Sequence, residues 1–286
     1  MSPYYEFLRE ALRSCYEGRE ARAVALLVLE EGFGIPRLDV YADKVRHFSE
    51  EERQRLRDIS RRLAAGDPVQ YVLGRADFCG LRLKVTPDTL IPRPETEELV
   101  AWAVAECAGA RRVLDAGTGS GCIAVALARA LPQAWVEAWD VSAGALAVAA
   151  ENAAACGVGV HCRRRDLLAP QPDAGPFDLI VSNPPYVRES ERAGMEARVL
   201  EHEPATALFV PDADPLRFYR ALAELGRRSL APGGRIYVEI NAALGPQTAE
   251  CFAAAGYADV ELRRDAFGRS RMVKAVRALS PAPPGC

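Results

Sequence analysis

From Arg111 to Gly157 the chain spells out a strand, a three-glycine run, a helix, a second strand and a second helix. Arg111–Ala116 reads as a short strand, and Asp115-Ala-Gly-Thr-Gly-Ser-Gly121 overlaps its end. Ile123, Leu127 and Leu131 then recur at helical spacing. Ala134–Asp140 reads as the second strand, with Ser142 able to cap a helix that runs to Gly157. Val158–Arg165, Phe177–Ser182 and Gly234–Ile240 read as further strands, and Val260–Arg264 and Met272–Val276 close the series. Alternation of this kind predicts an α/β fold: a mostly parallel, doubly wound Rossmann-like sheet of seven strands, with ligands at the carboxyl ends of the strands.

Residues 1–73 have a different period. Leu8, Leu12 and Cys15 share one helical face, and Val24, Leu27, Val28 and Glu31 suggest a second helix ended by Gly32 and Gly34. Ser49 and Glu52 form a capping-box pattern ahead of Leu56, Ile59 and Leu63, and Gly66 and Pro68 stop that helix. A small helical bundle results, either a partner-docking domain or a structural cap. In residues 74–93, Phe78, Leu81, Leu83 and Val85 around Gly80 predict a β-hairpin linker. Leu90-Ile-Pro-Arg-Pro-Glu-Thr-Glu97 follows. On bare physics its prolines make it a stiff connector, with Pro94 in the first turn of a helix and glutamates at that helix's positive end. Residues 94–280 then form the α/β domain, and residues 281–286 a disordered tail. A fragment from Glu95 onward is expected to bind cofactor, because every cofactor motif lies beyond that point.

Among the 286 residues, Lys plus Arg number 36 and Asp plus Glu 39, a net charge of −3 that favours neither nucleic acid nor membrane. The longest uncharged stretch, Ala116–Ala128, has 13 residues, short of the roughly 18 needed for a membrane span. The first residues carry no signal-peptide pattern, so a cytoplasmic location and reduced cysteines are expected. The eight cysteines show no Cys-x-x-Cys spacing and no histidine pairing suited to zinc. No metal is expected.

The glycine run has the spacing G-x-G-x-G rather than G-x-G-x-x-G. Glycines let the backbone turn sharply and approach a ligand closely, and the amides of the helix start face it. Gly117, Thr118, Gly119, Ser120 and Gly121 are therefore cofactor candidates. Asp115 beside them would repel a pyrophosphate and attract an ammonium. Asp140 at the second strand end suits a ribose diol, or else caps the next helix. Asp166 and Leu167 at the third strand end suit an adenine amino group and ring face, although a plain turn aspartate reads equally well. The three strand ends thus converge on an adenosine with a cationic amino-acid tail, which describes S-adenosylmethionine better than a nicotinamide dinucleotide.

Ser182-Asn-Pro-Pro-Tyr186 follows the fourth strand. Asn183 offers a side-chain carbonyl and Pro184 a main-chain carbonyl. Together these can accept both hydrogens of a planar NH2 group, with Pro185 stiffening the segment and Tyr186 packing behind that plane. The alternative is an Asx-type turn with a packed tyrosine.

These two motifs resemble those of amino methyltransferases. Gln70-Tyr-Val-Leu-Gly74, Leu90–Glu97, Asp115–Gly121, Ser182–Tyr186, Glu203-Pro-Ala-Thr-Ala-Leu208 and Asp265-Ala-Phe-Gly-Arg269 stand in the order of the release factor glutamine methyltransferases (the HemK/PrmC family). The resemblance spans about residues 5–277. It makes the Pro-Arg-Pro segment a family motif rather than a connector. It implies a helical N-terminal domain, a hairpin linker and a seven-stranded methyltransferase domain. The implied reaction is methylation of the glutamine amide in the Gly-Gly-Gln loop of peptide chain release factors. Gly117–Gly121 and Asp140 would contact cofactor, with Asn183 facing both ligands, and Asn183, Pro184, Pro185 and Tyr186 would contact glutamine. Leu167 stands where relatives often have an aromatic residue, which predicts weaker stacking on adenine, and Asn241 stands where many have glycine.

Accepting both amide hydrogens returns electron density to the nitrogen and aims it at the methyl carbon, so positioning rather than a strong base should carry the reaction. On this reading Asn183→Asp keeps an acceptor and partial activity. The partner is a release factor, and a monomer without direct nucleic-acid contact is expected. The competing readings are methylation of ribosomal protein glutamine, methylation of an exocyclic amine in DNA or rRNA, and a non-catalytic nucleotide-binding protein.

Overall fold

The computed structural model describes residues 1–13, 15–169 and 174–279. The expected tail at 281–286, with Cys286, lies outside the described residues. The chain divides into two compact units, Met1–Arg75 with Glu196–His202, and Ala76–Met195 with Glu203–Cys286.

In the first unit α1 (Pro3–Ala11), α2 (Gly18–Leu27), α3 (Arg37–Tyr41), α4 (Glu50–Ala64) and α5 (Val69–Leu73) enclose Leu8, Leu12, Val28, Leu29 and Leu63, all fully buried. The Ser49–Glu52 capping box forms in both directions: Ser49 Oγ accepts from the Glu52 amide, and Glu52 accepts from the Ser49 amide. Rather than continuing to Glu31 as an α-helix, α2 widens after Leu27 into one π turn, Val28–Gly32. Periodicity gives no sign that the short helix Ala197–His202 returns to this unit. There Arg198 pairs with Glu20 at 2.9 Å and lies over the Tyr16 ring at 4.3 Å.

A hairpin of β1 (Arg75–Phe78) and β2 (Leu81–Lys84), all but Arg75 in the second unit, is turned by Cys79 and Gly80 at φ 48° and 72°. Two positive φ values match the twist of a two-residue hairpin. The hairpin does more than link. Phe78 and Leu83 are buried in one core with Leu99, Val113 and Leu127. Asn152 clamps its end, accepting from the Lys84 amide at 2.7 Å and donating to the Lys84 carbonyl at 2.9 Å.

The sheet contains β3 (Arg112–Ala116), β4 (Trp135–Asp140), β5 (Val160–Arg164), β6 (Phe177–Ser182), β7 (Leu230–Glu239), β8 (Tyr257–Arg264) and β9 (Ser270–Arg277). Their spatial order is β8-β9-β7-β6-β3-β4-β5. β5 through β7 are parallel, and β9 runs antiparallel between β7 and β8. The seven-stranded sheet expected from the alternation is present. Its inner strands bury both faces, as a sheet covered by helices on each side must. Val113, Leu179, Val181 and Tyr237 face the core shared with α6 (Pro94–Glu106), α7 (Cys122–Ala130) and α8 (Ala143–Ala155). Leu114, Ile180, Ile236 and Val238 face the core of α9 (Arg217–Ser229) and α10 (Gly245–Ala254). The sheet reverses its winding beside β3: β4 and β5 lie on one side and β6 on the other. That switch point is where such sheets bind ligands.

Among the described residues the seven cysteines are free thiols. Cys107 and Cys122 are buried as small hydrophobes, whereas Cys79 is exposed in the hairpin turn.

Candidate active site

A cavity of about 510 Å³ opens at the switch point. Gly117, Thr118, Gly119 and Ser120 line it after β3, Asp140 after β4, Asp166 and Leu167 after β5, and Asn183 and Pro185 after β6. Pro87, Asp88, Leu90, Pro92, Arg93 and Thr96 also line it, as do Arg165, Arg217 and Phe218 and the apolar residues Ile123 and Ala145.

The glycine loop is held from below. The Trp139 carbonyl accepts from the Gly117 and Thr118 amides at 2.8 and 2.9 Å, and the Ser120 carbonyl accepts from Asn152 Nδ2 at 2.8 Å. Gly117, Gly119 and Gly121 have φ of 81°, 54° and 80°. A Cβ at Gly119 would meet nothing within 4 Å, so its backbone presents an open cradle. Gly121 serves another purpose and is not part of the cavity wall. A Cβ there would lie 2.8 Å from the Ala149 Cβ and 2.9 Å from its Cα, so this glycine lets α7 approach α8.

Asp115 also differs from its expected role. Strand alternation turns it under α7, where it is fully buried and off the cavity wall. Its Oδ2 accepts from the Thr118 hydroxyl at 2.5 Å and the Ala124 amide at 3.0 Å, tying the loop to the helix, while its Oδ1 is buried without a partner. Burial pushes this carboxyl up to about 7, against the lowering effect of the two hydrogen bonds and with a smaller upward push from Asp140.

Asp140 is held at the strand end by two main-chain amides and does not cap the next helix. Oδ2 accepts from the Gly119 amide and Oδ1 from the Ser142 amide, each at 2.9 Å. These bonds fix the carboxylate at the cavity edge and leave lone pairs for a diol. Ser142, not Asp140, supplies the side-chain cap of α8, accepting from the Ala145 amide at 3.2 Å. Asp166 accepts from the Leu168 amide at 2.9 Å, the turn geometry that was the plain alternative, and still lines the cavity beside Leu167.

At the end of β6, Asn183 Nδ2 donates to the Thr96 hydroxyl at 3.1 Å. Thr96 donates to Glu239 Oε2 at 2.6 Å, and the Tyr186 hydroxyl donates to Glu239 Oε1 at 2.9 Å. Pro184 is buried and Tyr186 is anchored inward by its hydroxyl, so neither side chain forms the cavity wall. Glu239 is 1% exposed, and burial raises its pKa although Thr96, Tyr186 and Arg271 lower it. Asn241, read only as a departure from its relatives, donates to the Tyr186 carbonyl at 3.1 Å and to Glu191 at 2.8 Å, and accepts from the Ala243 amide. Glu203 fastens the Pro-Arg-Pro segment, accepting from the Ile91 amide at 3.1 Å and from Arg93 at 2.5 Å.

The site as a whole suits S-adenosylmethionine: a backbone cradle, a carboxylate at the second strand end, and an acid beside aliphatic walls.

Curated relatives align across nearly the whole chain. The release factor glutamine methyltransferase of Bacteroides thetaiotaomicron is 46% identical over 272 residues, 95% of this chain and 98% of that one. The enzyme of the same name from Flavobacterium psychrophilum is 39% identical over 270 residues, 93% of this chain and 95% of that one. The chain belongs to the release factor glutamine methyltransferase family. It is an S-adenosylmethionine-dependent methyltransferase. Family models match the PrmC N-terminal domain at residues 6–74 and the methyltransferase small domain at residues 97–208. The fold is shared with ribosomal protein L11 methylase from Lactobacillus delbrueckii subsp. bulgaricus, at TM-score 0.50 and 22% identity, over 68% of this chain and 85% of that one. A methyltransferase from Pyrococcus furiosus matches at TM-score 0.52 and 19% identity, over 70% and 91% of the two chains.

Sequence reasoning passed over Thr96, Glu239 and Asn152 as site residues. Thr96 lies inside a motif already read and Glu239 inside a strand already read, but their pairing spans 143 positions and no local pattern carries it. Arg93, Arg165 and Arg217 were lost among 33 arginines.

Proposed function

We propose that this chain transfers a methyl group from S-adenosylmethionine to the side-chain amide nitrogen of the glutamine in the Gly-Gly-Gln motif of peptide chain release factors. The relatives' names support the release factor as substrate, and with it a cytoplasmic setting. The observation that carries the amide chemistry is the hydrogen-bond direction at Asn183. Its Nδ2 is committed to Thr96, so its carbonyl oxygen is left to accept from an incoming NH2 group.

When bound, the cofactor supplies a methyl group already activated on a sulfonium. The glycine loop would hold its amino-acid part, Asp140 its ribose hydroxyls, and Asp166 with Leu167 its adenine. An amide nitrogen is a weak nucleophile because its lone pair is delocalised into the carbonyl. Asn183 Oδ1 accepts one amide hydrogen and the Pro184 carbonyl the other, which returns density to nitrogen and fixes its approach. Tyr186, anchored by Glu239, packs beneath the segment that carries both acceptors. The nitrogen's surplus proton departs after transfer, so no histidine is required.

Mass spectrometry of release factor incubated with the enzyme and S-adenosylmethionine tests this. One added methyl on the Gly-Gly-Gln peptide is expected, and none when glutamate replaces the glutamine. An unmodified wild-type peptide refutes the substrate assignment.

A further inference from the structure

We propose that Thr96 and Glu239 are positioning residues that hold Asn183 with its carbonyl toward the cavity, and so make the site select an NH2 group over a carboxylate. The inference rests on the reading of Asn183 as an amide acceptor. It adds the cause of that orientation.

An asparagine side chain is nearly symmetrical in shape, and a half-buried one can present either its oxygen or its nitrogen. Only the partner's hydrogens decide between them. The Thr96 hydroxyl has a single hydrogen, and it is donated to Glu239 Oε2 at 2.6 Å. What Thr96 can still offer Asn183 is a lone pair, and Nδ2 occupies that position at 3.1 Å. Turning the amide over would set Oδ1 against a lone pair at a place where Thr96 and Glu239 are each 1% exposed.

Glu239 ends this relay, with each of its two oxygens accepting a hydroxyl. Its second oxygen takes the Tyr186 hydroxyl at 2.9 Å, so one buried carboxylate orders both ends of the Asn-Pro-Pro-Tyr segment. Three separate elements meet here: Thr96 in the first turn of α6, Glu239 at the end of β7 and Asn183 just after β6. Asn241 adds a fourth hold on the main chain at Tyr186.

Thr96→Val keeps the shape and removes the hydroxyl. It should lower kcat on release factor by about ten- to hundredfold, the scale on which misplacement costs rate. Calorimetric affinity for S-adenosylmethionine and the KM for release factor should stay within about threefold, less than one tenfold step in binding. Thr96→Ser, which restores the hydroxyl, should recover most of the rate. The decisive measurement is the double variant. If Thr96 acts through Asn183, adding Thr96→Val to Asn183→Ala costs no further rate.

Multiplying losses, or a serine variant as impaired as valine, overturn the proposal. Should Thr96→Val fail to bind cofactor, Thr96→Ala takes its place. If neither binds, the side chain serves folding and the proposal fails. A wild-type enzyme inactive on release factor refutes the substrate assignment instead. An active wild type matched by Thr96→Val refutes this inference alone.

Discussion

Gly119 and Gly121 sit two positions apart in one motif and should fail in different ways. Both have positive φ, 54° and 80°, so alanine at either carries backbone strain of about 1–2 kcal/mol. At Gly119 that is the whole structural cost, because a Cβ meets nothing within 4 Å. At Gly121 the new methyl lies 2.8 Å from the Ala149 Cβ and 2.9 Å from its Cα. Backbone cannot rotate aside as a side-chain tip can, so α7 and α8 must separate, which adds about 1–3 kcal/mol of overpacking. Gly121→Ala should therefore destabilise by about 2–5 kcal/mol in sum. For a unit of this size that lowers Tm by roughly 4 to 20 °C. Gly119→Ala should lower Tm by only roughly 2 to 8 °C but lose at least about tenfold in S-adenosylmethionine affinity, one 1.4 kcal/mol step, because its methyl projects into the cradle. Thermal unfolding without cofactor and binding calorimetry separate the two. Equal Tm values for both variants would refute the packing argument, and full cofactor affinity in Gly119→Ala would remove that glycine from the cradle.

Asp115 predicts a pH dependence. Its carboxyl is raised to about 7 by burial from an ordinary 3.8. Between those values the folded chain keeps a proton that the unfolded chain has released, so cofactor-free stability should fall as pH rises through that window, by no more than about 4 kcal/mol. Glu239 is shifted in the same direction, so the comparison must be with Asp115→Asn, whose urea midpoint should vary less with pH; identical slopes would show that Asp115 is ionised throughout. A fragment beginning at Ala76 should bind cofactor by calorimetry, whereas one beginning at Glu95 should not, because it lacks Phe78 and Leu83 of the core and the cavity wall from Pro87 to Arg93; binding by the shorter fragment would reduce the hairpin to a connector. Asn183→Asp should lose at least about a hundredfold in kcat, the cost of removing preorganised positioning, since a carboxylate has no hydrogen for Thr96 and repels Glu239; partial activity near wild type would contradict the hydrogen-bond direction at Thr96.

The sheet was legible because each strand and helix carries its own period, and burial on both faces makes strands such as Phe177–Ser182 mostly apolar, with Leu179, Ile180 and Val181 in succession. The glycine loop was legible for a similar reason: sharp turns with positive φ demand glycine locally. Motif order then pointed to the family. What the sequence did not reveal is which member of each motif faces the ligand. Asp115 and Gly121 stand beside the cradle residues in the chain, yet strand alternation and the approach of α8 send them into the core. The hairpin looked like a linker because its apolar residues are few, and only the sheet's helices show what they complete. The tolerance expected of Asn183→Asp came from counting acceptors on one residue. The direction of a hydrogen bond depends on its partner's partner, and Asn183, Thr96 and Glu239 lie 87 and 143 positions apart. Local residue preference determines turns, caps and periods; tertiary packing decides which polar atom is left free to work.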